Sequence, residues 1–244
     1  MWQHEDLPGT PMLTNGKPIP ESLKRISDEV AMRSAGKDTL VEAWRAYAAK
    51  ARMKLPEIHI EQDGEALFIN DMSPGCRACK NGSWDCIFIT MKCNMDCRFC
   101  WRPNAPTSQH LDSAIAPSRV ELAAAYSKMT ITGISFSGGE PFIDTGRLFE
   151  CVSWFTTRYP DKYYWIYTNG LLATEPSLSI LAEMGVDEIR FDMAASGYLD
   201  PLAMKNLALA VQLFPAVTVE IPVIPEDATR LVEALERWCA AGIQ

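Results

Sequence analysis

The hydrophobic pattern divides the chain into two parts. Near the N-terminus, "ESLKRISDEVAMRSAG" and "DTLVEAWRAYAAKARM" have the apolar spacing of amphipathic helices, and the second begins with a capping box of Thr39 and Glu42. In "EIHIEQDGEALFIND" the hydrophobic positions alternate around Asp63-Gly64, which predicts a tight hairpin. Residues 1–84 are therefore predicted to form an N-terminal cap of helices and a hairpin.

From Asp85 onward, short apolar runs alternate with helical stretches in five strand and helix units. The predicted strands are "CIFIT", "ITGISFS", "YYWIYTN", "EIRFDMA" and "VTVEIPVIP". Repeated crossovers of this kind indicate a parallel sheet with helices on at least one face. We therefore predict an α/β core over residues 85–244, with ligands gathered at the carboxyl ends of its strands.

The end of the chain permits two interpretations. The last predicted helix ends at Gly242, and Ile243-Gln244 resembles the start of a sixth strand. We expect from this that the natural protein is longer than the chain. The alternative is an open five-stranded sheet that ends in a helix.

Composition narrows the class of protein. Hydrophobic residues make up 48% and charged residues 22% of the 244 residues, as in ordinary globular proteins. The net charge of −8 disfavours general binding to nucleic acid, because an acidic surface repels phosphates. No apolar run is long enough for a membrane span, and the N-terminus lacks the pattern of a signal peptide. A cytoplasmic location without membrane partners is predicted.

The cysteines are the most informative residues. Six of the eight lie between Cys76 and Cys100, whereas Cys151 and Cys239 stand alone in helical patterns and are predicted to pack as small hydrophobic side chains. Cytosolic disulfides are uncommon, so the clustered cysteines indicate metal ligands.

The stretch "KCNMDCRFCW" places Cys93, Cys97 and Cys100 on the loop after the first strand of the core. Structural zinc usually takes four ligands, and a redox pair takes two cysteines two residues apart, so neither matches. Three cysteines hold three corners of a cubane cluster and leave the fourth iron open for chemistry.

This spacing, with Phe99 before the last cysteine, resembles the signature of the radical S-adenosylmethionine (radical SAM) enzymes. The resemblance implies a partial (β/α) barrel with helices outside, one [4Fe-4S] cluster and S-adenosylmethionine as cofactors, and a 5′-deoxyadenosyl radical that abstracts hydrogen. Phe99 would lie against the adenine. The alternative is a fortuitous cysteine-rich loop or a zinc knuckle.

A second motif, "SFSGGEP", ends the next strand. Glycines allow close backbone approach, and Glu140 supplies an acceptor. In its position after the three-cysteine loop it resembles the family's motif for the methionine amino group, which implies that role for Gly138, Gly139 and Glu140.

Three further strand ends are predicted to face the same site at the carboxyl edge of the sheet. "YTNG", from Tyr167 to Gly170, is either a binding segment or an ordinary turn. "RFDMAAS" offers Arg190, Asp192 and Ser196, and family resemblance implies contacts of Asp192 and Ser196 with the ribose or the methionine carboxylate. "EIPVIP" resembles the adenine-side strand of the glycyl-radical activases. Ile224 in it is an adenine contact or a core residue.

Other features leave alternatives open. Cys76, Cys79 and Cys86 are ligands of a possible second cluster, thiols that donate hydrogen, or bystanders, and the stretch "GCRAC" resembles activase-like proteins. Arg98, Trp101 and Arg102 around the cluster loop either contact a substrate or lie on the surface. His4, His59 and His110 form no cluster in the sequence, which gives no support to a histidine metal site.

The combined prediction is an enzyme that cleaves S-adenosylmethionine reductively and acts on a small-molecule or peptide substrate, with an external one-electron reductant. A first alternative is an activase that makes a glycyl radical on a partner enzyme. A second is an iron–sulfur electron carrier or metal-binding scaffold, which would not need the Gly-Gly-Glu strand end.

Overall fold

The computed structural model describes residues 58–61, 66–69, 71–100, 131–222 and 224–243. The chain separates into two compact units, residues 1–72 and 73–244, whereas the sequence places the domain boundary after residue 84. The two N-terminal amphipathic helices predicted from the sequence lie outside the described residues, as does the helical stretch "PSRVELAAAYSKMT" (residues 117–130) predicted between the first two strands of the core. Trp101, Arg102, His4 and His110 also lie outside them.

The first unit contains the predicted hairpin. Strands β1 (Ile58–Glu61) and β2 (Ala66–Ile69) pair antiparallel. The rings of His59 and Phe68, at directly paired positions, stack with centroids 4.8 Å apart. A cross-strand contact of this kind stabilises the register of a hairpin.

The second unit is built on one five-stranded parallel sheet. Its elements are the helix α1 (Pro74–Lys80), β3 (Trp84–Thr90), β4 (Gly133–Gly138), α2 (Thr145–Arg158), β5 (Tyr163–Thr168), α3 (Glu175–Glu183), β6 (Glu188–Phe191), α4 (Pro201–Leu213), β7 (Ala216–Val219) and α5 (Ala228–Ala240). The strands lie in sequence order from β3 to β7, and each pairs in parallel with the next. This topology confirms the predicted α/β fold class. The described residues end at position 243, so the sixth strand anticipated beyond Gly242 stays a prediction.

One face of the sheet carries the main hydrophobic core. Ile134, Phe136 and Ile166 are fully buried there, and α2 contributes Leu148 and Val152, four residues apart on one helical face. The helices begin at side-chain caps, such as the Thr174 and Ser177 capping box of α3, which satisfy the free backbone N–H groups of the first turn.

The opposite face is polar and aromatic. Arg190 is only 3% exposed, and its Nε donates to Glu188 Oε1 at 2.9 Å. The side chains of Tyr163 and Thr218 donate further hydrogen bonds to Glu188, and the Arg190 guanidinium lies 5.0 Å from the centre of the Trp165 ring. A buried charge is tolerated when it is paired and hydrogen-bonded, and this network meets that requirement.

Helix α1 lies on this polar face and was not predicted from the sequence. It is seven residues long, too short to show a helical period, and Ser73 caps it by accepting a hydrogen bond from the Cys76 N–H. A Cβ at Gly75 would come within 2.6 Å of Arg190 Nη2, so glycine is needed for the close approach.

The two cysteines outside the cluster differ. Cys151 is half-buried and packs beside the core, as predicted, whereas Cys239 is exposed, which corrects the prediction for that residue. The physical reason is the orientation of α5, which buries Ala234 and Trp238 instead.

Among the residues described above, no helix combines the length and the apolar character that a membrane crossing requires.

Candidate metal and cofactor site

A cavity of about 370 Å³ opens at the carboxyl ends of the strands. Its lining residues are Cys93, Met95, Cys97, Phe99, Cys100, Ser137, Gly138, Gly139, Glu140, Tyr167, Thr168, Asn169, Asp192, Ala195, Glu220, Ile221 and Pro222. The three-cysteine loop and the Gly-Gly-Glu strand end, which are separate in the sequence, therefore share one cavity.

The cluster loop directly follows β3 and brings three thiols to the cavity wall. The Met95 N–H donates to Cys93 Sγ at 3.4 Å, and the Cys100 N–H donates to the Cys97 carbonyl at 3.0 Å. Within the described ranges, no group of three or more His, Cys, Asp or Glu side chains is arranged to hold a single metal ion. In a cubane cluster each cysteine binds a different iron, so this donor set of three thiols fits a cluster better than a structural zinc.

The two glycines of the strand end lie against the backbone that leads into the cluster loop. The Gly139 N–H donates to the Thr90 carbonyl at 2.6 Å, and the Glu140 N–H donates to the Lys92 carbonyl at 2.8 Å. A Cβ at Gly138 would clash with the Thr90 carbonyl, and one at Gly139 would clash with that of Lys92. Glycine at these two positions therefore allows two backbone segments to pack closely.

Glu140 is fully buried, and its carboxylate accepts three hydrogen bonds. The Thr168 hydroxyl and the Phe142 N–H donate to Oε1 at 2.8 and 3.2 Å, and the Asn169 N–H donates to Oε2 at 2.7 Å. Burial raises the pKa of Glu140, and these hydrogen bonds oppose the rise because they stabilise the charged form. The carboxylate therefore ties the end of β4 to the end of β5 while it lines the cavity.

The Thr-Asn-Gly segment is both a turn and part of the site. Gly170 has φ +79°, and the Asn169 side chain donates to Asn94 Oδ1 at 2.7 Å in the cluster loop. Asn169 therefore connects Glu140 to the loop of Cys93. The sequence analysis left its role open because a Thr-Asn-Gly turn alone does not reveal which distant loop it contacts.

Asp192 lies in the cavity wall at the end of β6. Burial raises the pKa of its carboxyl to about 6, against the opposing effect of the backbone N–H groups of Ala194 and Ala195. A ligand that donates hydrogen bonds to the Asp192 carboxylate would replace the water that burial removes and would favour the charged form.

Replacing Asp192 with asparagine is expected to stabilise the protein without ligand near neutral pH by about 2 kcal/mol, because the charged carboxylate is penalised in the folded state. The gain is present above the raised pKa and disappears by about pH 3, below the ordinary pKa of an aspartate, where the carboxyl is protonated in both states. Denaturant unfolding at both pH values measures it, with Asp161→Asn, at an exposed surface pair, as the control. An equal or lower stability of Asp192→Asn near neutral pH would contradict the prediction.

The remaining predicted residues are placed as follows. Phe99 lines the cavity, as do Ile221 and Pro222, which the sequence analysis did not single out. Ser196 and Ile224 are not among the lining residues, and the Ser196 hydroxyl donates to the Met193 carbonyl at 3.4 Å.

The cluster loop is also tied to the start of α5. Arg98 Nη2 lies 3.3 Å from Asp227 Oδ2, and the Tyr198 hydroxyl donates to the same oxygen at 3.2 Å. Tyr198 is buried and has φ +74°, a strained conformation for a residue other than glycine. This contact joins the loop of Cys97 and Cys100 to the N-cap residue of α5.

Variants Arg98→Gln and Asp227→Asn are both expected to speed iron transfer from the reconstituted protein to a chelator, and the double variant should add little to Asp227→Asn. Both changes break the Arg98–Asp227 contact, so their effects are not additive. Arg98→Gln should cost at most about 1 kcal/mol of unfolding free energy because Arg98 is exposed, and Asp227→Asn should cost more because Asp227 also accepts from Tyr198. Glu233→Gln and Arg237→Gln in the exposed pair of α5 provide the control. Additive effects of the two changes would count against a shared contact.

The other three clustered cysteines lie on the polar face of the sheet. Cys76 and Cys79 are on α1, and Arg190 Nη2 lies 3.4 Å from Cys76 Sγ, so Arg190 is a network residue and not part of the cavity lining. Burial raises the pKa of Cys86 to about 11, although hydrogen bonds with Ser135 and Ser137 oppose the rise. A second cluster that uses Cys76, Cys79 and Cys86 stays an alternative from the sequence.

Comparisons with known proteins agree with the site. The family model described as a 4Fe-4S single cluster domain matches residues 73–183. A candidate glycyl-radical enzyme activating enzyme of Methanocaldococcus jannaschii is 27% identical over 176 residues, which cover 66% of this chain and 46% of the relative. The anaerobic ribonucleoside-triphosphate reductase-activating protein of Enterobacteria phage T4 is 29% identical over 104 residues, which cover 42% of this chain and 60% of the relative. The chain thus spans about half the length of the relatives it matches.

A solved structure of native anSMEcpe with bound AdoMet and Cp18Cys peptide aligns with a TM-score of 0.47 and 15% identity, over 64% of this chain and 47% of that chain. The matched domain contains the three-cysteine loop, the Gly-Gly-Glu strand end and the Thr-Asn-Gly turn. These similarities support the resemblance stated from the sequence: residues 73–183 match a 4Fe-4S single cluster domain, and the chain is similar to two activating proteins.

Proposed function

We propose that this protein reductively cleaves S-adenosylmethionine and uses the resulting radical to abstract hydrogen from a substrate. The observation that carries the proposal is the single cavity lined both by Cys93, Cys97 and Cys100 and by the Gly-Gly-Glu strand end. An electron carrier needs the cysteines alone, whereas an enzyme of this kind also needs space for its cofactor beside them.

The cysteines would hold a [4Fe-4S] cluster, which supplies the electron for cleavage and one open iron for the methionine moiety of S-adenosylmethionine. The carboxylate of Glu140 is fixed by its three hydrogen bonds, so it offers a preorganised acceptor for the methionine amino group. A fixed acceptor orients the ligand at little entropic cost.

The other end of the cavity suits the nucleoside. Phe99 offers an aromatic face for the adenine, and Asp192 is an acceptor for ribose hydroxyls. Ile221 and Pro222 replace the predicted Ile224 as the candidate apolar contacts, because they line the cavity and Ile224 does not.

The test is anaerobic reconstitution with iron and sulfide, followed by dithionite and S-adenosylmethionine, with detection of 5′-deoxyadenosine. Formation of 5′-deoxyadenosine supports the proposal. If the cluster forms but S-adenosylmethionine neither binds nor is cleaved, the electron carrier or scaffold becomes the better interpretation. Dithionite stands here for the external one-electron reductant that the reaction requires.

A protein or peptide is the substrate class that the comparisons favour, because both curated relatives are named as activating proteins. The second candidate is therefore an activase that makes a glycyl radical on a partner enzyme. Anaerobic capture of partners by the reconstituted protein, followed by electron paramagnetic resonance of the captured complex after S-adenosylmethionine is added, distinguishes the two. A persistent glycyl radical on a captured partner favours the activase, whereas a closed-shell modified peptide favours a modifying enzyme.

A further inference from the structure

We propose that Tyr167 and Glu220 form a binding site for the extended backbone of a protein or peptide substrate, an inference that rests on the proposed function and names the substrate class of the same cavity. The Tyr167 hydroxyl donates to the C=O of one substrate residue, and the Glu220 carboxylate accepts from the N–H of the same residue.

Both side chains lie at the wall of the cavity. Tyr167 is on β5, and Glu220 directly follows β7. Both residues line the cavity, and the Glu220 side chain is 53% exposed. The roles proposed for the cluster and S-adenosylmethionine use other lining residues, among them Glu140 and Asp192. Tyr167 and Glu220 are therefore available to a substrate that enters beside the cofactor.

Arg190 holds the two polar groups in place. Its Nη1 donates to the Tyr167 hydroxyl oxygen at 3.3 Å and to Glu220 Oε2 at 2.9 Å. The rest of the guanidinium is fixed by Glu188, because Nε and Nη2 donate to the two oxygens of that carboxylate at 2.9 and 3.3 Å. The planar fork of the arginine therefore sets the spacing between the hydroxyl and the carboxylate.

Glu220 is not needed to neutralise Arg190. The carboxylate of Glu188 is fully buried and already pairs with the guanidinium. The charge of the buried arginine is therefore balanced without Glu220. A second carboxylate on the same arginine leaves a negative charge at the cavity wall, where it can accept a hydrogen bond from a ligand.

Each of the two groups keeps a free hydrogen-bonding position. Arg190 donates to Oε2 of Glu220, and among the described residues no group donates to Oε1. The Tyr167 oxygen accepts from Arg190, and no acceptor for its own proton lies in the described part of the chain. Because a tyrosine hydroxyl is a donor and a carboxylate only an acceptor, the pair offers one donor beside one acceptor.

This combination matches an extended peptide backbone. In an extended chain the N–H and the C=O of one residue point to the same side, as in the hydrogen-bonded pairs of an antiparallel sheet. Such a residue can use both groups at once, and its bond to the carboxylate is charge-assisted. A cation without an acceptor, or a carbonyl compound without an N–H, would use only one of them.

The test measures the binding of N-acetyl-Gly-Gly-Gly-amide, whose polar groups are those of the backbone. The reconstituted protein with S-adenosylmethionine and no reductant is titrated anaerobically and followed by saturation-transfer NMR. Tyr167→Phe and Glu220→Gln are each expected to weaken binding about 3- to 10-fold, as expected for one hydrogen bond or its charge assistance. Glu233→Gln, in an exposed pair on α5, is the control and should bind like the original protein.

Two further probes test which backbone groups are recognised. The same tripeptide methylated at every amide nitrogen should bind the original protein more weakly, because it has no N–H to donate. N-methylacetamide, a single small amide, should also bind more weakly than the tripeptide. Equal affinity of the original protein for the tripeptide and for either of these probes would overturn the assignment to a peptide backbone.

The variants also separate a substrate site from the cofactor site. Tyr167→Phe should bind S-adenosylmethionine as the original protein does, and a parallel loss of both ligands would assign Tyr167 to the cofactor and overturn the inference. Tripeptide binding that is absent from the original protein, or unchanged in both variants, would overturn it as well.

Formation of 5′-deoxyadenosine by the same preparations tests the proposed function independently. If 5′-deoxyadenosine forms but the tripeptide does not bind, the peptide site is wrong and the proposed function stands. If tripeptide binding depends on Tyr167 and Glu220 but no preparation forms 5′-deoxyadenosine, the proposed function is wrong and the pair is a peptide-binding site without that chemistry.

Discussion

Replacing Cys97 with alanine is expected to lower 5′-deoxyadenosine formation by more than about 100-fold, because a missing cluster ligand should cost more than the loss of a residue that only supports a ligand. Cys97 lines the cavity together with Cys93 and Cys100, and its carbonyl accepts the hydrogen bond that shapes the loop. Iron and sulfide content should fall in parallel. The measurement is anaerobic turnover by the reconstituted variant per mole of protein, with its iron and sulfide content determined separately.

Cys239→Ala is the matched control, since Cys239 is an exposed cysteine on α5, a helix that follows the cavity-lining residues. It should keep both the iron content and the activity of the original protein. A Cys97→Ala variant that cleaves S-adenosylmethionine at an undiminished rate would refute the assignment of this cysteine to the cluster.

Replacing Gly138 with alanine is expected to lower the free energy of unfolding by about 2–5 kcal/mol, from backbone strain and overpacking together. Gly138 has φ +128°, which L side chains rarely adopt, and the added Cβ would clash with the Thr90 carbonyl. Thr90 lies three residues before Cys93, so relief of the clash should displace the cluster loop. Denaturant unfolding of the iron-free protein, followed by reconstitution and iron analysis, measures both effects.

Gly146→Ala is the control, and it is expected to change the free energy of unfolding in the opposite direction. Gly146 is inside α2, and a Cβ there would meet nothing closer than 3.9 Å. Alanine in a helix is favoured over glycine by about 1 kcal/mol, so this variant should gain stability. Equal stabilities of the two variants would show that the strand end tolerates a side chain.

The parallel sheet was predictable because its signal is local. Each strand of the core is a short apolar run, as in "YYWIYT", and each is followed by a longer amphipathic segment. Strand limits were less predictable: the run "VTVEIPVIP" begins at Val217, but the strand Ala216–Val219 ends after only three of its residues. Pro222 and Pro225 cannot donate backbone hydrogen bonds to a neighbouring strand, which fits the early end.

The contacts that connect the parts of the site were harder to predict from the sequence than the sheet. Asn169 lay in a segment with two equal interpretations, and α1 was missed because seven residues are too few for a periodic pattern. Arg98 was interpreted as a substrate contact or a surface charge, and the structure shows an exposed Arg98 that is paired with Asp227. The roles assigned to Ser196 and Ile224 remain predictions that the cavity lining does not favour.

The sequence by itself determined the order of strands and helices, the three-cysteine loop and the Gly-Gly-Glu strand end, because each is written in neighbouring residues. Only the tertiary structure decided that Glu140 accepts from Thr168 across 28 residues, that Arg190 reaches Cys76 across 114 and that Arg98 reaches Asp227 across 129. The physical reason is that these contacts depend on strand register and on the placement of loops at the sheet edge. A local pattern of side chains encodes neither the strand register nor the placement of the loops.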